Sequence, residues 1–287
     1  MPGNKPSHWP GVLEDVLHYQ GPRRWSGQVV SHANSEVNKM FDGQAALVTG
    51  AQRGIGRAIA QAFVREGARV ALVDLGHLDE LKKVARQIAG PHGRCLALAA
   101  DVGSWDQARQ AVIRAEEEFQ GLDILVNNAG IIRRGSIETV TEQEWDDVIR
   151  VNLKGTFNCC KAASEIMVRR GRGKIVNVSS VAGKAGDVTS APGYGPSKAG
   201  IDALTKTLAR QLAGHGINVN GVAPHAIETE MSAQWTPEKR AAIIQAIPLK
   251  RLGRPADVAE AVLFLASSKA DFITGEIIDV NGGFLMD

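Results

Sequence analysis

Tyr194 and Lys198 lie four residues apart in the run Tyr194-Gly195-Pro196-Ser197-Lys198. On a helix that spacing stacks them on one face, one turn apart. A free phenol titrates near ~10 and is a weak base at neutral pH. An ammonium about 4 Å away contributes on the order of 4 kcal/mol at an effective dielectric of about 20. Each pKa unit is worth about 1.4 kcal/mol, so part of that attraction is enough to draw the phenol toward neutrality. Such a tyrosine takes a proton from an alcohol or returns one to a carbonyl. A half-buried tyrosine beside a surface lysine has the same spacing, so the surrounding chain must discriminate.

A second constellation opens with Gly50-Ala51-Gln52-Arg53-Gly54-Ile55-Gly56. It follows the apolar run Ala45 to Val48 and precedes helical spacing through Ala58, Ile59, Ala62 and Phe63. Strand, glycine turn and helix together make a pyrophosphate cradle: the helix start offers free N–H groups and a positive dipole end, and glycines let the backbone approach. The spacing is G-x-x-x-G-x-G. The run Arg69 to Asp74 then reads as a second strand ending in a carboxylate about 20 residues past the glycines, where it can bond a ribose 2′-hydroxyl. A carboxylate there repels a 2′-phosphate and favours NAD over NADP. Arg53 in the glycine turn pulls the other way, since it could pair with that phosphate. Asp74 could also cap the following helix.

These groups must be carried by a regular framework, and the chain supplies one. Strand-like runs continue at Arg94–Ala100, Asp123–Val126, Lys174–Ser179, Ile217–Ala223 and Ile277–Val280. Helical runs separate them at Ser104–Phe119, Val151–Arg170, Ser197–Leu212 and Pro255–Ser267. Repeated βα units imply a single α/β domain, a Rossmann-type doubly wound parallel sheet with ligands at the carboxyl ends of its strands. The segments of interest end on that edge.

With 287 residues, 44% hydrophobic and 22% charged, the chain is long enough for one large buried core. A net charge of +2 without a dense basic run gives no reason to expect nucleic acid. Arg169, Arg170, Arg172 and Lys174 fall at a helix end, where cations suit the dipole. Cys95, Cys159 and Cys160 have no metal spacing and read as reduced thiols in a cytoplasmic protein, with no metal and no membrane span. Residues 1–42 differ in character: Pro- and Gly-rich, with Trp9 and Trp25. They form an N-terminal extension, either mobile or an arm packing on a neighbouring subunit, ahead of a 43–287 dinucleotide-binding and catalytic domain.

Taken together, Thr49-Gly50-x-x-x-Gly54-x-Gly56, Asp101-Val102, Asn127-Asn128-Ala129-Gly130, Asn152, Ser180, Tyr194-x-x-x-Lys198 and the segment Pro224 to Thr229 resemble the short-chain dehydrogenase/reductase family from about residue 43 onward. The resemblance implies a catalytic set of Asn152, Ser180, Tyr194 and Lys198. Tyr194 would be the general acid/base and Ser180 would bond the substrate oxygen. Lys198 would lower the tyrosine pKa and bond the nicotinamide ribose, and Asn152 would hold a water linking Lys198 to solvent. Cofactor contacts would come from Gly50, Gln52, Arg53, Gly54, Ile55, Gly56 and Asp74, and from Asp101 and Val102 at the adenine. Asn128, Ala129 and Gly130, then Pro224, Ile227 and Thr229, would complete them, the last two at the carboxamide. Ser179 rivals Ser180, because the loop to Tyr194 is one residue longer than the commonest family spacing. His225 replaces the usual glycine; it either reaches substrate or fills space. Family members are commonly tetramers or dimers, through helices near 151–170 and 195–212.

The loops at the expected mouth carry Arg133, Arg134, Asp187, His225 and Glu228. That polarity, and the run Asn128 to Arg134, lead us to expect an NAD-dependent dehydrogenase of a small polyol, sugar or sugar acid. The alternative is a 3-oxoacyl-thioester (acyl-carrier-protein) reductase, which expects NADPH and a basic docking face. A second alternative is a dinucleotide-binding protein without catalysis, which would need none of the four residues.

Overall fold

The computed structural model describes residues 39–91, 93–186, 190–230 and 232–286. The chain divides into two units, Met1–Asn38 and Lys39–Asp287, and the described residues belong to the second. The expected arm with Trp9 and Trp25 lies outside them. Residues 39–42 pack with the folded body rather than with an extension. Phe41 is fully buried, its ring meets Phe63 edge-on with centroids 5.0 Å apart, and its N–H donates to the Glu66 carbonyl at 2.9 Å.

In chain order the elements are β1 (Ala45–Thr49), α1 (Gly54–Arg65), β2 (Arg69–Asp74), α2 (Leu78–Ala89), β3 (Cys95–Ala99), α3 (Trp105–Phe119) and β4 (Ile124–Asn127). Then come α4 (Glu142–Val148), a wide π turn (Ile149–Lys154), α5 (Gly155–Arg170), β5 (Gly173–Val178) and the short α6 (Ala182–Ala185). The chain closes with α7 (Tyr194–Leu212), β6 (Ile217–Pro224), α8 (Pro237–Ala246), α9 (Pro255–Ala266) and β7 (Ile277–Val280).

The seven strands are all parallel in the order β3-β2-β1-β4-β5-β6-β7. The order reverses between β1 and β4, which opens a crevice at the carboxyl edge there. Strand side chains alternate between faces, and each face has its own apolar cluster. Ala46, Val48, Val70, Leu72, Ile124 and Val126 pack against α1, α2 and α9 through residues such as Ile59, Phe63, Leu81 and Val262. Ala45, Leu47, Ala71, Val73 and Leu125 pack against α3 and α5 through Val112, Phe119, Ile166 and Met167.

The opposite edge is fastened by charge. Asp123 accepts from the Ala45 N–H at 3.0 Å and from Arg170 and Arg172 at 3.0 and 3.1 Å. The basic cluster expected at a helix end therefore closes α5 and also anchors β1 to β4. Helices α4 to α5 form one continuous rod interrupted by the π turn, and Thr141 with Glu144 makes a complete capping box at its start. Among the described residues no helix is long and apolar enough to cross a membrane.

Candidate active site

The glycine turn sits at the crevice. Gly50 has φ +63°, and a Cβ on it would lie 2.8 Å from Asn128 Nδ2 and 2.9 Å from Ala129 Cα. A Cβ on Gly56 would run into the Gly50 carbonyl. Both positions exclude side chains so that β1, the turn and the end of β4 can close together. Asn128 Nδ2 donates to the Thr49 and Gly50 carbonyls at 3.0 and 3.1 Å, and Thr49 Oγ1 accepts from the N–H of Asn128 and of Ala129, each at 3.0 Å. α1 starts at Gly54 with no side-chain cap. Its first N–H groups are thus left to an anion, the arrangement a cofactor pyrophosphate requires.

Asp74 closes β2 beside this turn and accepts from the Gln52 N–H at 3.0 Å. Glu80 lies close by, hydrogen-bonded to Gln52 Nε2 at 3.4 Å. Arg53 is drawn the other way, 3.5 Å from Glu230 with both side chains largely exposed. Asp101 is held by Arg150 at 2.6 Å and by the Gly103 N–H at 2.8 Å, and the Val102 carbonyl accepts from Asn158 Nδ2 at 2.9 Å. Ile55 packs on the apolar core. Thr229 lies across the turn, its methyl 3.6 Å from where a Gly54 Cβ would sit. Ile227 is buried and bridges to Gly253, and the Pro224 carbonyl accepts from the Val181 N–H at 3.0 Å.

The Tyr194 and Lys198 spacing falls in the first turns of α7. Lys198 Nζ donates to the Val178 carbonyl at 2.8 Å and lies 5.7 Å from the Tyr194 ring centroid. Ser180 is nearly buried just past β5, and its Oγ accepts from the Ala182 N–H at 3.2 Å. Its rival Ser179 is turned into the core, donating to the Lys198 carbonyl at 3.2 Å. Asn152 is fully buried in the π turn. Its Oδ1 accepts from the Ile131 N–H at 2.8 Å, and its Nδ2 donates to the Ile131 carbonyl and to Ser197 Oγ, each at 3.0 Å. The Ser197 hydroxyl donates in turn to the Tyr194 carbonyl at 2.7 Å. Gly130 leaves open the space beside this group: a Cβ there would be 3.3 Å from Asn152 Oδ1 and 3.7 Å from Lys198 Nζ.

A family profile described as enoyl-(acyl carrier protein) reductase matches residues 50–285. A 3-oxoacyl-(acyl-carrier-protein) reductase from Staphylococcus epidermidis is 42% identical over 85% of this chain and 99% of its own length. One from Staphylococcus aureus is 44% identical over 85% of this chain and 98% of its own. A crystal structure of a 3-oxoacyl-(acyl-carrier protein) reductase from Brucella melitensis superposes with a TM-score of 0.82 at 39% identity, covering 87% of this chain and 94% of that one.

The chain belongs to the short-chain dehydrogenase/reductase family.

As a short-chain dehydrogenase/reductase it is an NAD(P)-dependent oxidoreductase acting on CH–OH groups and the matching carbonyls. The expected polyol, sugar or sugar-acid substrate is overturned by these relatives, which carry a different named activity. The physical reason is visible at the mouth, where polar side chains are engaged with protein. Arg133 is 3.7 Å from Asp147, which also lies 4.0 Å from Arg150. Glu228 pairs with Arg240. Asp187 lies outside the described residues. His225 stacks flat on Phe284, centroids 3.8 Å apart at 12°.

Burial shapes the titration of this enzyme's buried groups. It pushes Lys198 down to about 8, opposed by the Asp202 carboxyl. It pushes the Cys159 thiol up to about 12 and the Cys95 thiol up to about 11, which keeps both protonated and unreactive. Ser197 bonds Asn152, Arg150 bonds Asp101 and Asp202 acts electrostatically on Lys198, though none of the three is fixed by a motif. The one sequence signal for Asp202 is its place four residues beyond Lys198.

Proposed function

We propose that this enzyme reduces the 3-oxo group of an acyl thioester to the 3-hydroxy compound. The observation that carries this reading is the named activity of relatives 42% and 44% identical over 85% of the chain. The cleft residues suit that chemistry. A nicotinamide cofactor held at the glycine turn would supply hydride chemistry at C3. Tyr194 gives its phenolic proton to the ketone oxygen as the C–O π bond breaks, and Ser180 hydrogen-bonds that oxygen while negative charge develops on it. Lys198 would ease the loss of the tyrosine proton and would hold the nicotinamide ribose. Asn152 orders Ser197 and the Ile131 backbone and keeps the water through which Lys198 exchanges protons with solvent. The enoyl label of the family profile describes reduction of a C=C bond, whereas a tyrosine–serine pair of this kind is suited to an oxygen.

For the cofactor we propose NAD(H), a departure from the NADPH expected of a thioester reductase that rests on this chain's own carboxylates. Asp74, with Asp79 and Glu80 in the first turn of α2, would face a 2′-phosphate with repulsion, and Arg53 already lies beside Glu230. His225 with Phe284 forms a wall of the acyl site, and Arg133 its rim. The three reduced cysteines fit a cytoplasmic enzyme, and exposed Trp145, Phe157 and Val168 along α4 and α5 fit a homo-oligomer. The test is loss of reduced-nicotinamide absorbance with acetoacetyl-CoA and an acetoacetyl carrier protein, using NADH and NADPH in turn. Turnover of either thioester supports the reading; no turnover with any of the four pairs sinks it.

A further inference from the structure

Helix α7 carries a third chemical group on its buried face. Asp202 follows Lys198 by the same four residues by which Lys198 follows Tyr194, so the three side chains line one stripe over two turns. Asp202 is buried, and its Oδ1 is enclosed with no hydrogen-bond partner. Its neighbours are Ser179, Lys184, Lys206 and Lys198. The Ser179 hydroxyl, which donates to the Lys198 carbonyl, lies near the Asp202 carboxyl. Lys184, from α6, is itself paired with Asp279 of β7 at 2.8 Å. A carboxylate with such surroundings and no role in the hydride or proton step needs another explanation.

We propose that Asp202 is a positioning residue acting through Lys198: its carboxylate is the counter-charge that keeps the buried Lys198 ammonium charged and directed at Tyr194. The need is set by burial. Lys198 is enclosed, and among the described residues its hydrogen bond goes to a neutral carbonyl, so desolvation favours the neutral amine. A neutral amine gives Tyr194 no electrostatic help. Among the described residues that face Lys198, Asp202 supplies the opposing charge. Asp202 pays the same desolvation penalty, which raises its own pKa, and Ser179, Lys184, Lys206 and Lys198 counter it. The lysines around Asp202 offset part of that penalty, and the carboxylate in turn favours the charged form of Lys198.

The inference rests on Tyr194 and Lys198 being the acid/base pair of the proposed thioester reduction. It is tested with Asp202→Asn, which keeps shape and removes charge. Thioester turnover is measured from about pH 6 to 9, the span over which a shift of roughly one unit in Lys198 is read. The expected result is a variant-to-wild-type ratio of kcat that falls about tenfold across that span, with Asp202→Glu restoring most of it. A ratio that stays flat, however low, overturns the inference, because a merely structural role lowers the rate at every pH alike. In parallel, NMR titration of protein labelled with 13Cε-lysine follows Lys198 without any substrate. An unmoved Lys198 titration in Asp202→Asn overturns the inference outright. A lowered titration with no thioester turnover even in wild type leaves the electrostatic coupling standing and puts the failure in the substrate. Should Asp202→Asn not fold, Asp202→Ser, equally uncharged, carries both measurements, and curves coincident with wild type overturn the proposal.

Discussion

The proposed chemistry turns on moving one proton at neutral pH, and each side chain in the cleft can be asked what it contributes to that. Tyr194→Phe removes the proton and leaves the ring, so turnover should fall by about 10²- to 10⁴-fold while cofactor affinity, read by nicotinamide fluorescence, stays within a few-fold. Retained turnover would assign the proton to another group. Lys198 carries a thermodynamic signature as well. Its folded value of about 8 lies below its ordinary 10.5, so the unfolded chain binds more protons between those values and stability rises with pH across that window. Below about 8 both states are protonated and the full burial penalty stands. Denaturant titrations at pH 8 and at about 10.5 should therefore show wild type gaining stability, and Lys198→Met should lose that part of the slope. Asp74→Asn should shift the kcat/KM ratio of NADP(H) to NAD(H) upward by about tenfold or more, the size of one charge-assisted hydrogen bond. An unchanged ratio would mean that the 2′ position is read elsewhere.

At the scale of elements, the glycine turn is a packing solution before it is a binding site. Gly56→Ala would push a methyl group at the Gly50 carbonyl. The expected outcome is a Kd for the cofactor weakened at least tenfold and a loss of roughly 1–3 kcal/mol in stability, checked by titration and thermal unfolding. Strands buried on both faces were legible as apolar runs: β2 and β7 end where the sequence places them, at Asp74 and Val280. Helix α2 was harder to see, because only Leu81, Ala85 and Ile88 are buried among charged neighbours. Helix α8 buries no residue at all, so its apolar pattern carries no message beyond Thr236 and Pro237 at its start. The glycines, Asp74, Tyr194 and Lys198 were readable because backbone approach and pairing impose residue types. Ser197 and Asp202 were not, since a polar side chain on a helix declares its partner only after the helices pack. The polar mouth misled for the same reason: Arg133 and Glu228 have partners in Asp147 and Arg240 that lie apart in sequence.

The whole molecule divides its tasks between the two edges of one sheet. The carboxyl edge carries the glycine turn, Asn128, Ser180 and the start of α7, while the amino edge is tied by Asp123 with Arg170 and Arg172. Stability is drawn from the two apolar clusters that sandwich the sheet, and the first residue in sequence of one is Phe41, fully buried. Phe41→Ala should cost about 3–5 kcal/mol, seen as a lower denaturation midpoint with turnover per folded enzyme unchanged; a neutral result would make residues 39–42 dispensable to the body. The π turn at Ile149–Lys154 has a consequence for how such a chain can vary over time. One extra residue in the rod between Glu142 and Arg170 resets its angular phase by about 100°, so that Asn152 faces Ser197 while Cys159 and Ile166 face the sheet. Substitutions along the rod are negotiable one at a time. A single-codon deletion there is not, for it would rotate the entire second half of the rod relative to the first, and descendants of this gene should preserve the length of this stretch even where they change its letters.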